Sequence, residues 1–73
     1  MMSFTIAADK ALVWDRQQNQ MVQKIRVVVS LMGNRGSVYR EAGPLYAETG
    51  QEVFEAVQLL RTRLIQSLAS GVG

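Results

Sequence analysis

Cysteine and histidine are both missing from the 73 residues, and proline occurs once. Without cysteine there is no disulfide, and without either residue a Cys/His metal site is excluded. Long apolar runs are missing too: none approaches the ~20 residues a membrane span needs. The opening MMSFTIAADK lacks the basic segment and apolar stretch of a secretory signal. The expectation is no membrane and a cytoplasmic location. Charge is sparse at 19%, with a net charge of +2. So mild an excess permits an anionic partner without demanding one.

Catalytic chemistry is equally short of material. The acids are Asp9, Asp15, Glu41, Glu48, Glu52 and Glu55, and no basic or nucleophilic residue stands between the two closest on the C-terminal segment. Carboxylates at that spacing mark a solvated helix face. No Gly-x-Ser-x-Gly, Gly-x-Gly-x-x-Gly or Gly-x-x-x-x-Gly-Lys-Ser/Thr pattern occurs. With no assembled acid–base pair, nucleophile or metal site, the chain is not expected to be an enzyme. No cofactor and no metal are expected.

What is present is enough for a core. Hydrophobic residues make up 48% of the chain, far from the composition of disordered segments. There is no internal repeat, no low-complexity tract and no linker, so residues 1–73 read as one domain. A chain this short buries only ~60% of the surface it exposes when unfolded, and its stability alone is marginal. With disulfides and zinc excluded, the remaining support is oligomerisation or a partner.

The clearest element is the last, TGQEVFEAVQLLRTRLIQSLASG. Thr49 and Glu52 have capping-box spacing. From there Val53, Ala56, Val57, Leu60, Leu64 and Leu68 recur at helical spacing, with Phe54 and Ile65 at one margin. Gln51, Glu55, Gln58, Thr62 and Gln66 hold the opposite face. The spacing predicts a helix over about 50–69, with Gly71 as its stop. Leu59 projects from the polar side as either an ordinary exposed leucine or a contact with another subunit.

Two periods compete before it. Residues 9–32 can be laid on a helix from Asp9 to Gly33 with Ala11, Trp14, Met21, Val22, Ile25, Val28, Val29 and Met32 on one stripe. The strand period instead places Ile25, Val27, Val29 and Leu31 on one face and Lys24, Arg26 and Ser30 on the other. The turn signal Gly33-Asn34-Arg35-Gly36, followed by Val38 and Tyr39, favours a hairpin over about 24–41. Gly43 and Pro44 are expected to end its second strand. Residues 9–23 stay open between strand and helix. The expected fold is a small α+β domain, an antiparallel sheet with the C-terminal helix packed across one face. The alternative is an all-α helical hairpin that assembles into a bundle.

A basic and aromatic group stands out on the hairpin: Lys24 and Arg26 on one sheet face, Asn34 and Arg35 at the turn, and Tyr39 and Arg40 on the returning strand. Arginine forks suit phosphate or carboxylate, and a tyrosine ring offers a base a stacking platform. The bland reading is a solvated sheet face and a protected edge, with Asn34 tolerating left-handed backbone in the turn. Trp14, the only tryptophan, falls on an apolar side and suits a core or subunit contact. The leading functional expectation is therefore a small non-enzymatic interaction protein acting as a homo-oligomer on another macromolecule. Regulators, inhibitors and assembly factors, including those carried by phages, have this profile. The alternative is a nucleic-acid or small-nucleotide binding module built on the arginine/tyrosine group.

Overall fold

The computed structural model describes residues 3–70. They form three strands and one helix in chain order: β1 (Ser3–Asp15), β2 (Gln20–Met32), β3 (Val38–Ala47) and α1 (Gly50–Ala69). The strands make one antiparallel sheet in the order β1-β2-β3, and α1 packs on one face of it. This is the expected α+β domain; the helical hairpin and its bundle are not formed. Among the described residues no helix is long and apolar enough to cross a membrane.

Residues 9–15 and 20–23 resolve as strand, joined by a turn over 16–19. β1 and β2 form a hairpin thirteen residues deep on each side, paired without interruption from Ser3↔Met32 to Asp15↔Gln20. Its turn is closed by Asp15, whose Oδ1 accepts the N–H of Gln17 at 2.8 Å and that of Gln18 at 3.2 Å. Asn19 then takes a left-handed φ of 54°, a conformation its short polar side chain tolerates. Residues 16–19 are thus a turn shaped by Asp15 and Asn19. The period-two run Ile25-Val27-Val29-Leu31 wins over the helical stripe because β-branched residues lose χ1 freedom in a helix and pack well on a pleated sheet.

The second connection differs from the expected four-residue turn. A short 3-10 turn, Asn34–Gly36, follows Gly33, whose N–H donates to the Ser37 carbonyl at 2.8 Å. The left-handed conformation expected of Asn34 falls instead on Arg35 at φ 75° and Gly36 at φ 72°. A further correction concerns Gly43 and Pro44, which do not end β3. The strand bulges there, where the register shifts between Val27 and Val29, and pairing resumes at Val27↔Leu45. Proline has no N–H to give a ladder, so a bulged edge strand is where it fits.

The core lies between β2, β3 and α1. Val27, Val29, Leu31, Ala47, Ala56, Val57, Leu60 and Leu64 are buried, and Leu60, Val27 and Val29 are fully so. Gln51, Glu55, Gln58, Thr62 and Gln66 are exposed, as the helical spacing predicts. Thr49 caps the helix by accepting the Glu52 N–H at 3.1 Å, while the Glu52 carboxylate accepts the N–H of Glu48. Leu68, expected in the core, is 37% exposed, and Phe54 and Ile65 are more so. Gly71 lies outside the described residues.

The helix leaves much of the sheet uncovered. The radius of gyration is 14.1 Å, against about 11 Å for a compact domain of this length. The accessible surface is 5366 Å² for 8.1 kDa, against about 4,500 Å² for a compact monomer of that mass.

Gly43 is the tightest backbone position. Its φ is +114°, and a Cβ there would sit 2.9 Å from the Val27 carbonyl oxygen and 3.4 Å from a Leu60 methyl. Gly36, at φ +72°, faces open space. Gly43→Ala is therefore expected to destabilise by about 2 kcal/mol or more and Gly36→Ala by about 1 kcal/mol, since a left-handed L-residue costs roughly 1–2 kcal/mol before any clash. Urea unfolding of the two variants checks this; equal losses would contradict the close approach at Gly43.

Candidate functional site

Directly opposed residues of an antiparallel pair share a sheet face, so the register sorts every candidate side chain. Lys24 and Arg26 lie on the face away from α1. Arg26 is engaged there: its Nη2 donates to Asp9 Oδ2 at 2.8 Å and its Nε to Asp9 Oδ1 at 3.3 Å. That hydrogen bond, then the carboxylate's charge, raises the Arg26 pKa above its ordinary value. Lys24 Nζ lies 3.6 Å from Glu48 Oε1. The ring opposite Arg26 is Tyr46, not Tyr39.

Arg40 is on the other face. It pairs with Leu31, a core residue facing the helix, and its Nη1 donates to the hydroxyl of Ser67 on α1. Its guanidinium also lies 5.3 Å from the centroid of the Tyr39 ring, within cation–π range. Arg35 and Asn34 sit at the exposed 3-10 turn. The basic group of the hairpin is therefore divided between the two faces and the turn. β3 carries Arg40 to the helix side while β2 holds Arg26 on the open side.

Arg40 acquires a different neighbour. A shallow recess of about 360 Å³ between β3 and α1 is lined by Arg40, Glu41, Ala42, Arg63, Leu64 and Ser67. Two guanidinium groups and a hydroxyl, contributed by two elements, can receive one phosphate or carboxylate. Arg63 and Ser67 escaped the sequence reading, although their spacing of four residues places them on one flank of α1.

The other notable surface is apolar and follows β1. Phe4, Ile6, Ala8, Leu12 and Trp14 share the face on which α1 packs, but the helix lies over β2 and β3. Ile6 is 52% exposed, Leu12 68% and Trp14 53%; Met21, paired with Trp14, is also exposed. Arg61 marks the flank of α1 that looks toward β1, with its guanidinium 5.1 Å from the Phe4 ring centroid. Its Nε is buried without a hydrogen-bond partner among the described residues. By helical spacing Phe54, Ile65 and Leu68 share that flank, and all three are exposed. A second recess of about 380 Å³ near the start of α1 is lined by Ala8, Asp9, Lys10, Ile25, Gly50 and Val53. Leu59 is exposed on the other flank of α1, beside Glu52 and Arg63, so Trp14 and Leu59 do not share a surface. Period-two spacing of Phe4, Ile6, Ala8, Leu12 and Trp14, interrupted at Lys10, was the signal that would have found this apolar row.

No family model, curated protein or solved structure matches the chain.

If one recess gathers the cationic chemistry, inorganic phosphate should perturb the NMR resonances of Arg40, Arg63 and Ser67 and leave Arg26, already paired with Asp9, in place. Equal perturbation of every arginine would mean diffuse screening and no localised site.

Proposed function

We propose that the chain is a non-enzymatic interaction module of the cytoplasm, one that works as a homo-oligomer and engages another macromolecule in the manner of a regulator, inhibitor or assembly factor. What supports this reading is the exposed apolar row of Ile6, Leu12, Trp14 and Met21, joined by Phe54 and Ile65 across the helix flank. Scattered exposed apolar residues are ordinary, whereas a contiguous apolar surface marks an interaction site. The excess accessible surface of about 900 Å² is close to the ~800 Å² each partner contributes to a standard interface. The residue inventory supports the same class, since binding through such a surface needs no group with a tunable pKa.

A second reading, binding of a phosphate-bearing nucleotide or nucleic acid, is favoured by the recess that joins Arg40, Arg63 and Ser67. It replaces the Lys24, Arg26, Arg35 and Tyr39 group with a smaller site on the helix side. The phosphate titration separates it from the first.

Association through the β1 side carries a spectroscopic marker, because Trp14 is the only tryptophan and is half exposed. Its emission should shift to shorter wavelength as protein concentration rises, and the melting temperature should rise in parallel. Leu12→Glu, at a position already 68% exposed, should abolish both effects while the chain stays folded. An 8.1 kDa species in sedimentation at tens of micromolar, with emission independent of concentration, would refute homo-oligomerisation.

A further inference from the structure

The two edges of the sheet are unlike. β3 is irregular: it bulges at Gly43 and Pro44 and shifts register again between Leu31 and Met32. Bulges and proline are devices that blunt an edge against pairing. β1 has neither. All thirteen residues keep one register with β2, and the opposite side of the strand faces no other strand of the sheet. A long regular edge is a template for another strand.

The sequence of β1 indicates which strand it is. SFTIAADKALVWD is symmetric in character about Asp9. Counting outward, Ala8 meets Lys10, Ala7 meets Ala11, Ile6 meets Leu12, Thr5 meets Val13, Phe4 meets Trp14 and Ser3 meets Asp15. In an antiparallel pair of identical strands related by a two-fold axis normal to the sheet, opposed residues share a face, so the axis must pass through a residue and not between two. Placing it on Asp9 pairs all thirteen residues and sets Ile6 opposite Leu12 and Phe4 opposite Trp14.

We propose that β1 pairs antiparallel with β1 of a second copy about Asp9, giving a continuous six-stranded sheet with both helices on one face. This rests on the oligomeric reading above and specifies its geometry. Ile6 then lies against Leu12, and Phe4 against Trp14, on the helix-side face. Aromatic and aliphatic cross-strand pairs of this kind contribute roughly 0.2–1 kcal/mol each relative to alanine. Lys10 falls opposite Ala8, a small neighbour that lets its stem lie flat and its amine reach water. The two Asp9 carboxylates meet at the axis on the open face, where like charges repel. Each is already held by its own Arg26 at 2.8 Å, so the row across the sheet reads Arg26, Asp9, Asp9, Arg26, flanked and compensated by cations. Moving the axis to Ala8 strands Trp14 beyond the described end of the other β1 and sets Lys10 against Ile6. Moving it to Lys10 opposes two lysines and leaves Phe4 beyond the second strand. The dimer's helices stand apart over their own β2 and β3, and the apolar row becomes the floor of the groove between them.

The register is measurable because the chain has no native cysteine. Thr5→Cys and Val13→Cys, each carrying one nitroxide label per chain, give one intermolecular distance each by double electron–electron resonance. With the axis on Asp9, both positions lie eight residues from their counterparts, about 27 Å of strand at 3.4 Å per residue, and the two distances are equal. Axes on Ala8 or Lys10 give unequal distances near ~20 and ~34 Å, in opposite orders. Ala7→Cys and Ala11→Cys, each four residues from its counterpart and equal at about 14 Å, read by dipolar broadening of the nitroxide spectrum, serve if either of the first variants fails to fold. Equal distances at these values support the pairing. A dimer with unequal or much longer distances overturns it and leaves the oligomeric reading standing. A monomer in sedimentation overturns both.

Discussion

One helix cannot cover this sheet. With its side chains a helix is about 10 Å across, wide enough for roughly two strands spaced 4.8 Å apart. Twenty residues of helix span about 30 Å, whereas thirteen extended residues span about 43 Å. α1 settles over β2 and β3, where Leu60 meets Val27 and Val29 and the Gly43 bulge lets the backbone approach. β1 is left attached by its ladder to β2, with little covering its helix-side face. The apolar row, the elongated shape and the excess accessible surface follow from that mismatch of widths.

Polar interactions then sort themselves by face. The open side of the sheet holds solvated ion pairs, Arg26 with Asp9 and Lys24 with Glu48. Exposed pairs of this kind contribute little to stability, so their effect is to set where charge stands and not how firmly the chain folds. The helix side holds Arg40 against Ser67 and Arg61 against Phe4, guanidinium groups that flank the core on its two sides. Basic character that looks pooled along the sequence is distributed over both faces and the turn.

The α+β class, the helix with its Thr49–Glu52 cap and the β2–β3 pairing were legible because each has a local cause: capping-box spacing, 3.6-residue periodicity, and a β-branched run ended by a turn. Residues 9–23 were not legible, because the turn between β1 and β2 contains no glycine and depends on Asp15 accepting two backbone N–H groups and Asn19 turning left-handed. The end of β3 was misjudged because Gly43 and Pro44 stop a regular strand but only bulge an edge strand. The arginine group failed as a single site because the register sets Arg40 opposite Leu31, on the helix side, and Arg26 opposite Asp9 and Tyr46, on the open side. The recess of Arg40, Arg63 and Ser67 depends on how α1 crosses β3, and no spacing within one element encodes that.

The central claim is that β1 is completed from outside the chain, and amide hydrogen exchange resolved by residue tests it most directly. In dilute protein, alternate amides of β1, those directed at β2, should exchange slowly while the outward set exchanges fast. Raising the concentration should slow the outward amides of β1 from Thr5 to Val13 and leave the outward amides of β3 unchanged. If the outward amides of β1 exchange at the same fast rate at every concentration, nothing pairs with that edge and the claim is wrong.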